Sequence, residues 1–212
     1  MPEIGASRPL RADAVRNMDR IITAARDCFR SDGPDVSLHV IARQAGVGPA
    51  TLFRNFADKE ELVLAALAQQ LRLRVNPVAV AALQNEDAAR GFLAVAEALL
   101  EVASDELNLL SAVAGRRRLL AGITTPLLES LGTLLIRAQA QGTIRPDLML
   151  DDVVPLLAMA IGALETNVLG SGAWRRYAAV LTDGFLTPAG ARPLPPLVPI
   201  PGIDVLVGRR GA

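Results

Sequence analysis

Residues 37–59 constrain the fold of this 212-residue chain more than any other stretch. Two short runs with helical spacing of apolar residues, 37–45 and 49–56, flank a Gly-Val-Gly turn. Gly46 readily takes the left-handed conformation that ends a helix, and Pro49 suits the first position of the next helix, where a missing N–H is no loss. Helices this short are not stable alone. The pattern therefore predicts a helix-turn-helix packed on a preceding helix.

The second of these short helices carries a mixed polar and apolar outer side. Leu52 and Phe56 fall on the face that we expect to be buried. Arginine can form two hydrogen bonds with guanine, asparagine can pair with adenine, and an alanine or threonine methyl can contact the thymine methyl. We expect Ser37 and His39, at the start of the first helix, to contact the phosphate backbone of the DNA. The DNA-contacting residues predicted on the second helix are Pro49, Ala50, Thr51, Phe53, Arg54 and Asn55.

The motif IARQAGVGPATLFRNFADKEEL resembles the DNA-binding domain of the tetracycline-repressor (TetR) family of bacterial transcription regulators. The resemblance extends from about residue 16 to about residue 65. Phe53 stands where the family usually has tyrosine, Asn55 where it often has histidine, and Gly48 where it often has a capping serine or threonine. The resemblance implies that Lys59, in the first turn of the next helix, anchors a phosphate. It also implies a homodimeric repressor that a small molecule releases from a pseudo-palindromic double-stranded DNA operator.

Composition gives no support for a nucleic-acid partner and excludes several enzyme classes. Lysine plus arginine and aspartate plus glutamate balance at 22 each, whereas a duplex-binding surface is expected to be basic. Cys28 and His39 are the single cysteine and histidine, so an internal disulfide and a cysteine-rich or histidine-rich metal site are unavailable, and we expect no histidine-based triad. We therefore expect no catalytic site, no metal, no cofactor and no enzymatic activity.

The remaining periodicity predicts an all-α chain in two parts. We expect a flexible arm at 1–14, a helix-turn-helix domain at 15–60, a helical ligand-binding and dimerisation domain at 61–187, and a Pro/Gly-rich tail at 188–212. One helix is predicted to run from Lys59 to about Asn76, before Pro77. The longest uncharged run, 153–164, is too short to span a bilayer, and we expect no leader at the start of the chain. We expect a cytoplasmic protein without membrane association.

The apolar pattern near the C-terminus predicts a dimer interface. Residues spaced 3, 4, 3 and 4 apart form a two-heptad seam, and the following helix carries a comparable stripe. Two such helices per subunit would form a four-helix interface, although the same pattern also fits a buried core. The predicted interface residues are Val154, Leu157, Ile161, Leu164, Val168, Trp174, Tyr177 and Leu181.

The helices between Lys59 and Val168 supply mostly leucine, alanine and valine to any ligand pocket, with Phe92 their only aromatic residue. This lining favours a lipophilic small-molecule effector. Polar groups that would orient it are Gln70, Asn108, Ser111 and Thr166. Two alternatives remain open from the sequence: an activator of the same fold, and a helical binding or carrier protein without DNA binding.

Overall fold

The computed structural model describes residues 7–115, 117–165, 170–186 and 194–195. Within these ranges the chain is helical, as predicted, and the only β-type pairing is an isolated antiparallel bridge between Ile144 and Leu186. The elements in chain order are α1 (Ser7–Asp32), α2 (Leu38–Gln44), α3 (Pro49–Asn55), α4 (Lys59–Gln70), a π-helix (Leu71–Val75), α5 (Asn76–Gln84), α6 (Ala88–Asp105), α7 (Leu107–Ala112), α8 (Arg117–Ala140), α9 (Leu150–Glu165) and α10 (Gly170–Asp183).

The chain divides into two compact units. The N-terminal unit comprises Met1–Gln69 and Asn108–Ala114, and the C-terminal unit comprises Gln70–Leu107 and Gly115–Ala212. The predicted boundary at residue 60 therefore falls too early, since nearly all of α4 belongs with the helix-turn-helix. Most of α7 also belongs to the N-terminal unit, although its position in the sequence placed it in the ligand-binding domain.

The N-terminal unit is built around α1. Its residues Ile21, Ala25 and Phe29 are buried, together with Ile41 of α2 and Leu52 of α3. Helix α1 begins at Ser7, so most of the segment predicted as a flexible arm is helical. A proline within the first helical turn, as at residue 9, does not remove a hydrogen bond that the helix would otherwise make.

The sequence predicted that the helix after the motif ends before Pro77, but the helical path continues past this residue. Instead the chain widens into the π-helix, where the Asn76 N–H donates to the Leu71 carbonyl, and continues as α5. Proline lacks the N–H for an α-helical bond and clashes with the carbonyl four residues earlier. One wider turn ahead of Pro77 relieves the clash and lets the helix continue, although the backbone bond that residue 77 would have donated is still missing.

The core of the C-terminal unit lies between α6 and α8. Phe92 is fully buried and meets Phe185 edge to face, with ring centroids 6.0 Å apart. Helix α8 passes through Pro126. Pro126 has no N–H and cannot donate a backbone hydrogen bond within the helix. Next to it, the Thr125 hydroxyl donates to the Ala121 carbonyl at 2.8 Å and adds a side-chain bond to this segment. Among the described helices, none is both long and apolar enough to cross a lipid bilayer.

Candidate nucleic-acid interface and effector-binding unit

The turn between α2 and α3 is fixed largely by backbone geometry. Gly46 has φ of +64°, the left-handed conformation predicted for it. Gly48 caps α3 through its extended backbone (φ −69°, ψ 151°), and Pro49 occupies the first turn. At the other end of the motif, Ser37 caps α2, with its Oγ accepting from the Val40 N–H at 3.4 Å. The Ser37 hydroxyl thus has an internal role besides its predicted contact with DNA.

Helix α3 presents most of its predicted DNA-contacting residues to solvent. Leu52 is fully buried, whereas Pro49, Ala50, Phe53 and Arg54 are exposed. Thr51 and Asn55 are half-buried, and the Asn55 Nδ2 donates to the Thr51 carbonyl at 2.7 Å. The Asn55 Nδ2 carries a second proton, so pairing with an adenine would have to use that proton and the Oδ1 atom. The structure gives no internal hydrogen bond of this kind for Arg54.

His39 and Phe53 link the outer faces of α2 and α3. Their ring centroids lie 6.3 Å apart with an interplanar angle of 70°, an edge-to-face arrangement. Phe53 keeps 46% of its surface exposed and His39 is also exposed. The phenylalanine that replaces the family's usual tyrosine therefore retains the aromatic ring on the outer surface and lacks only the hydroxyl.

Lys59 ties the start of α4 to the end of α1. Its Nζ donates to the Pro34 carbonyl at 2.8 Å and lies 5.3 Å from the centroid of the Phe29 ring, a cation–π arrangement. An ammonium group has three donors, so these contacts leave protons for a phosphate oxygen. The sequence did not reveal this internal role, because Pro34 and Phe29 become neighbours of Lys59 only in the folded unit.

The first turn of α4 is capped by side chains. Asp58 accepts from the Glu61 N–H at 2.8 Å, and the Glu61 carboxylate accepts from the Ala57 N–H at 2.6 Å. This reciprocal arrangement satisfies N–H groups at the helix start and fixes where α4 begins after the recognition helix. An aspartate followed three residues later by a glutamate is the sequence pattern of such a helix start.

Comparison with known proteins agrees with this geometry. Residues 21–66 match the family described as bacterial regulatory proteins, tetR family, and residues 87–187 match the transcriptional regulator SbtR-like, C-terminal domain. The crystal structure of the TetR transcription regulatory protein from Mycobacterium vanbaalenii is 30% identical in sequence, with a TM-score of 0.58 over 84% of this chain and 100% of that one. The chain belongs to the TetR family.

Other TetR-family relatives extend the comparison. A TetR transcriptional regulator from Streptomyces coelicolor is 27% identical, with a TM-score of 0.55 over 81% of this chain and 99% of that one. An HTH-type transcriptional regulator of Staphylococcus aureus is 35% identical over 63 residues, which are 29% of this chain and 34% of that protein. The match thus spans about a third of the length of this curated relative. TetR-family proteins are DNA-binding regulators without enzymatic activity, as the sequence predicted here.

In this TetR-family chain the predicted dimer seam is divided between core and surface. Leu157 is only 8% exposed and lies in the core of its own unit, so its assignment to the interface is corrected. Val154, Ile161 and Leu164 are half-buried against the same core. The exposed apolar side chains lie instead on Met159 of α9 and on two α10 residues, Tyr177 and Val180.

Three interface or ligand residues predicted from the sequence have no described side chain. Thr166 and Val168 lie outside the described residues, and Trp174 lies in α10 but its side chain is outside the described part. Leu181, the remaining predicted residue of α10, is half-buried against the core of the C-terminal unit. The tail predicted at 188–212 is described only at 194–195, where the Leu194 N–H donates to Asp147 at 2.8 Å.

The predicted ligand residues do not meet at one site. Asn108 and Ser111 belong to the N-terminal unit, so their assignment to a pocket in the C-terminal unit is corrected. Phe92 is a core residue. Gln70 is only 4% exposed and belongs to the C-terminal unit, so its role as a ligand contact stays a prediction.

A cavity of about 220 Å³ lies between α6, α9 and α10 of the C-terminal unit. The sequence missed it, because its lining residues are aliphatic and carry no distinctive motif. Their side chains are apolar apart from the Tyr177 hydroxyl, which agrees with the apolar lining expected for an effector pocket. The lining residues are Leu100, Leu156, Met159, Ala160, Ala163, Leu164, Tyr177, Ala178 and Leu181.

Proposed function

We propose that this chain is a repressor that binds a pseudo-palindromic operator as a homodimer and is released by a small lipophilic effector. The observation that carries the proposal is the exposed outer side of α3, with Ala50, Phe53 and Arg54 outward and Leu52 fully buried beneath them. In a helix-turn-helix the second helix enters the major groove, where these side chain types meet base edges. His39 and Lys59 would contact the phosphate backbone of the DNA beside the groove.

The balanced charge of the chain supports a dimer as the binding form. With 22 basic and 22 acidic residues, long-range attraction to DNA is weak. A dimer doubles the few well-placed cations and places two α3 helices in successive major grooves, about 34–36 Å apart. The expected operator is therefore two half-sites separated by one helical turn. We assign the protein to the bacterial cytoplasm because the proposed operator lies there.

Exposed apolar side chains on α9 and α10 support the dimer contact. Met159 is 62% exposed, and Tyr177 and Val180 are exposed to a similar degree. Surface side chains of this kind are favoured in the buried centre of subunit interfaces. We place them at the centre of the interface, with Ile161 and Leu164 beside them, and leave Leu157 in the subunit core.

The apolar cavity supports an effector of lipophilic character. Its 220 Å³ lies below the usual range of about 300–1,000 Å³ for ligand pockets. The effector would therefore be small, or the cavity would be enlarged where Met159 and Tyr177 meet a second subunit. An effector releases DNA only if it binds the released conformation more tightly than the DNA-bound one. Helix α4 is the proposed lever, since the chain passes between the two units within it.

The test is selection of duplexes from a random pool by the purified protein, followed by a gel shift with the selected sequence. A pseudo-palindrome should emerge, and a panel of apolar small molecules screened by thermal shift should contain one that weakens the gel shift. A reporter gene placed behind the selected sequence separates repression from activation. If no sequence is enriched although an apolar ligand stabilises the protein, the carrier alternative replaces the regulator.

A further inference from the structure

The C-terminal end of α2 is closed by two backbone bonds and one side chain. The Gly46 N–H donates to the Arg43 carbonyl at 3.1 Å and the Val47 N–H donates to the Ala42 carbonyl at 3.0 Å, the paired bonds of a Schellman motif. The Ala45 carbonyl stands outside this pair, although it belongs to the last carbonyls of a helix that need a partner. It also immediately precedes the turn that leads into the recognition helix.

Arg20 supplies the missing partner from α1. Its Nη2 donates to the Ala45 oxygen at 2.8 Å across 25 positions of sequence, in a partly buried bond. A guanidinium donor makes a charge-assisted hydrogen bond, and a cation at the C-terminal end of a helix is favoured by the helix dipole. The bond therefore ties the end of α2 directly to the helix on which the motif is built.

Gly46 and Arg20 depend on each other. A Cβ built at residue 46 would lie 2.8 Å from the Arg20 Nη2, closer than such contacts occur. The φ of +64° alone would still admit asparagine, which tolerates the left-handed region. A side chain at residue 46 would instead make the flexible guanidinium end of Arg20 shift, and this shift would weaken its bond to the Ala45 oxygen.

We infer that Arg20 is a positioning residue that fixes the direction of α3, and hence the base preference, without itself touching DNA. Helix α3 runs only from Pro49 to Asn55 and buries Leu52 as its one fully buried residue, so its direction depends on the turn before it. The Arg20 bond restrains that turn at its first residue. The inference rests on the proposed operator binding and adds to it a specificity determinant outside the groove-facing side chains.

The first experiment compares Arg20→Ala with the wild type on the selected duplex and on random DNA across a salt titration. We expect a roughly 10-fold loss on the selected duplex, because without the bond α3 takes its binding-competent direction in only a fraction of the free protein, and binding must restore that direction. Binding to random DNA and the salt slope should be unchanged, and Arg20→Lys, which keeps a charged donor, should recover most of the preference. Arg43→Ala is the matched control, since it removes an exposed cation from α2 and should lower both affinities alike.

An equal loss on both duplexes, with a salt slope lower by about two because each subunit of the dimer loses one contact, would make Arg20 a phosphate contact and overturn the inference. If the wild type selects no sequence, the proposed function fails, whereas a failure confined to the Arg20 variants overturns only this inference.

The second experiment is a double-mutant cycle of Arg20→Ala and Gly46→Asn, measured by chemical unfolding and needing no DNA. Both changes remove the same bond, so their combined effect should be smaller than the sum of the single effects. Additive effects would contradict the dependence of Gly46 on Arg20.

Discussion

The side-chain amide of Asn108 donates to the carbonyl oxygen of Phe29 at 2.8 Å. Phe29 lies in the last turns of α1 and its ring lies beneath the Lys59 ammonium, so this residue joins α7, α1 and α4. Asn108 follows α6 closely in sequence, yet it belongs to the N-terminal unit. A segment between two helices of the C-terminal unit is thus built into the helix-turn-helix unit.

We expect Asn108→Ala to lower the free energy of unfolding by about 1 kcal/mol, the usual net contribution of one hydrogen bond. The loss stays modest because the Gly33 N–H also donates to the Phe29 carbonyl, at 3.1 Å, and leaves it partnered. Urea unfolding measures the change. Gln84→Ala, at an exposed position of α5, is the control and should stay within about 0.5 kcal/mol of the wild type. An unchanged Asn108→Ala protein would show that the bond contributes nothing.

Arg54→Ala is expected to cost about 1–3 kcal/mol on the selected operator and to relax preference at one base pair in each half-site. The reason is that Arg54 is exposed on α3 and has the donor fork that guanine accepts. Binding measured on operators altered one base pair at a time checks this. Equal losses on operator and random DNA would assign Arg54 to the phosphate backbone instead.

Lys59→Ala should weaken binding to all duplexes alike and flatten the salt dependence, because a phosphate contact carries no sequence information. The same variant should also unfold at lower denaturant concentration, since it loses the Pro34 bond and the contact over Phe29. Gel shifts at several salt concentrations and urea unfolding measure the two effects separately. Lower stability with an unchanged salt slope would leave Lys59 as a structural residue only.

Phe53→Tyr should strengthen binding to operator and random DNA by about 0.5–1.5 kcal/mol, since it adds a neutral donor on the outer side of α3. Tyrosine offers the same aromatic ring for the edge-to-face contact with His39. The salt slope should not change, because no charge is added. Unaltered affinity would mean that the residue 53 hydroxyl does not reach a phosphate in this chain.

Met159→Asp should separate the subunits without unfolding them, because Met159 is 62% exposed within one subunit. Leu157→Asp should instead unfold the subunit, because it places a charge in the core. Sedimentation and circular dichroism distinguish the two outcomes. Val80→Asp, at an exposed apolar position of α5, is the matched control and should leave the dimer intact. A wild type that is monomeric at micromolar concentration would refute the interface.

Cys28 should resist alkylation in the native protein at neutral pH. Burial raises the pKa of its thiol, and the nearby Asp32 and Asp27 raise it further, so little of the reactive thiolate is present. The thiol of Cys28 has a higher pKa in the folded protein than in the unfolded chain. As the pH rises above the unfolded-state pKa, the unfolded chain therefore loses this proton first, and the free energy of unfolding falls slightly. Reaction with a thiol reagent, with and without denaturant, measures the protection. Fast native labelling would indicate an accessible, activated cysteine.

The sequence predicted the helix-turn-helix closely because its determinants are local. Gly46, Pro49 and the Asp58 cap each act through their own backbone conformation or through partners a few residues away. The roles of Lys59 and Asn108 were not predictable in this way, since each depends on a carbonyl group far away in sequence. Periodicity shows which residues share a helix face, but it does not show how side chains reach between helices.

The heptad seam could not separate core residues from surface residues, for a different physical reason. A helix that packs in its own core and a helix that packs on a second subunit bury the same kind of apolar stripe, so the spacing of Leu157 and Ile161 fits both. Only the burial of Leu157 and the exposure of Met159 separate the two faces. The cavity beside Met159 escaped prediction as well, because an aliphatic wall is composed of the same residues as an aliphatic core.

The π-helix ahead of Pro77 also sets the helical phase of everything that follows in α5. It adds one residue to the turn, and each residue of an α-helix advances about 100° around the axis. The buried face of α5, with Ala79 and Ala82, is therefore rotated by about that angle from where a regular continuation of α4 would place it. A chain shortened by one residue between Leu71 and Val75 would keep every core side chain of α5 and aim them away from the core.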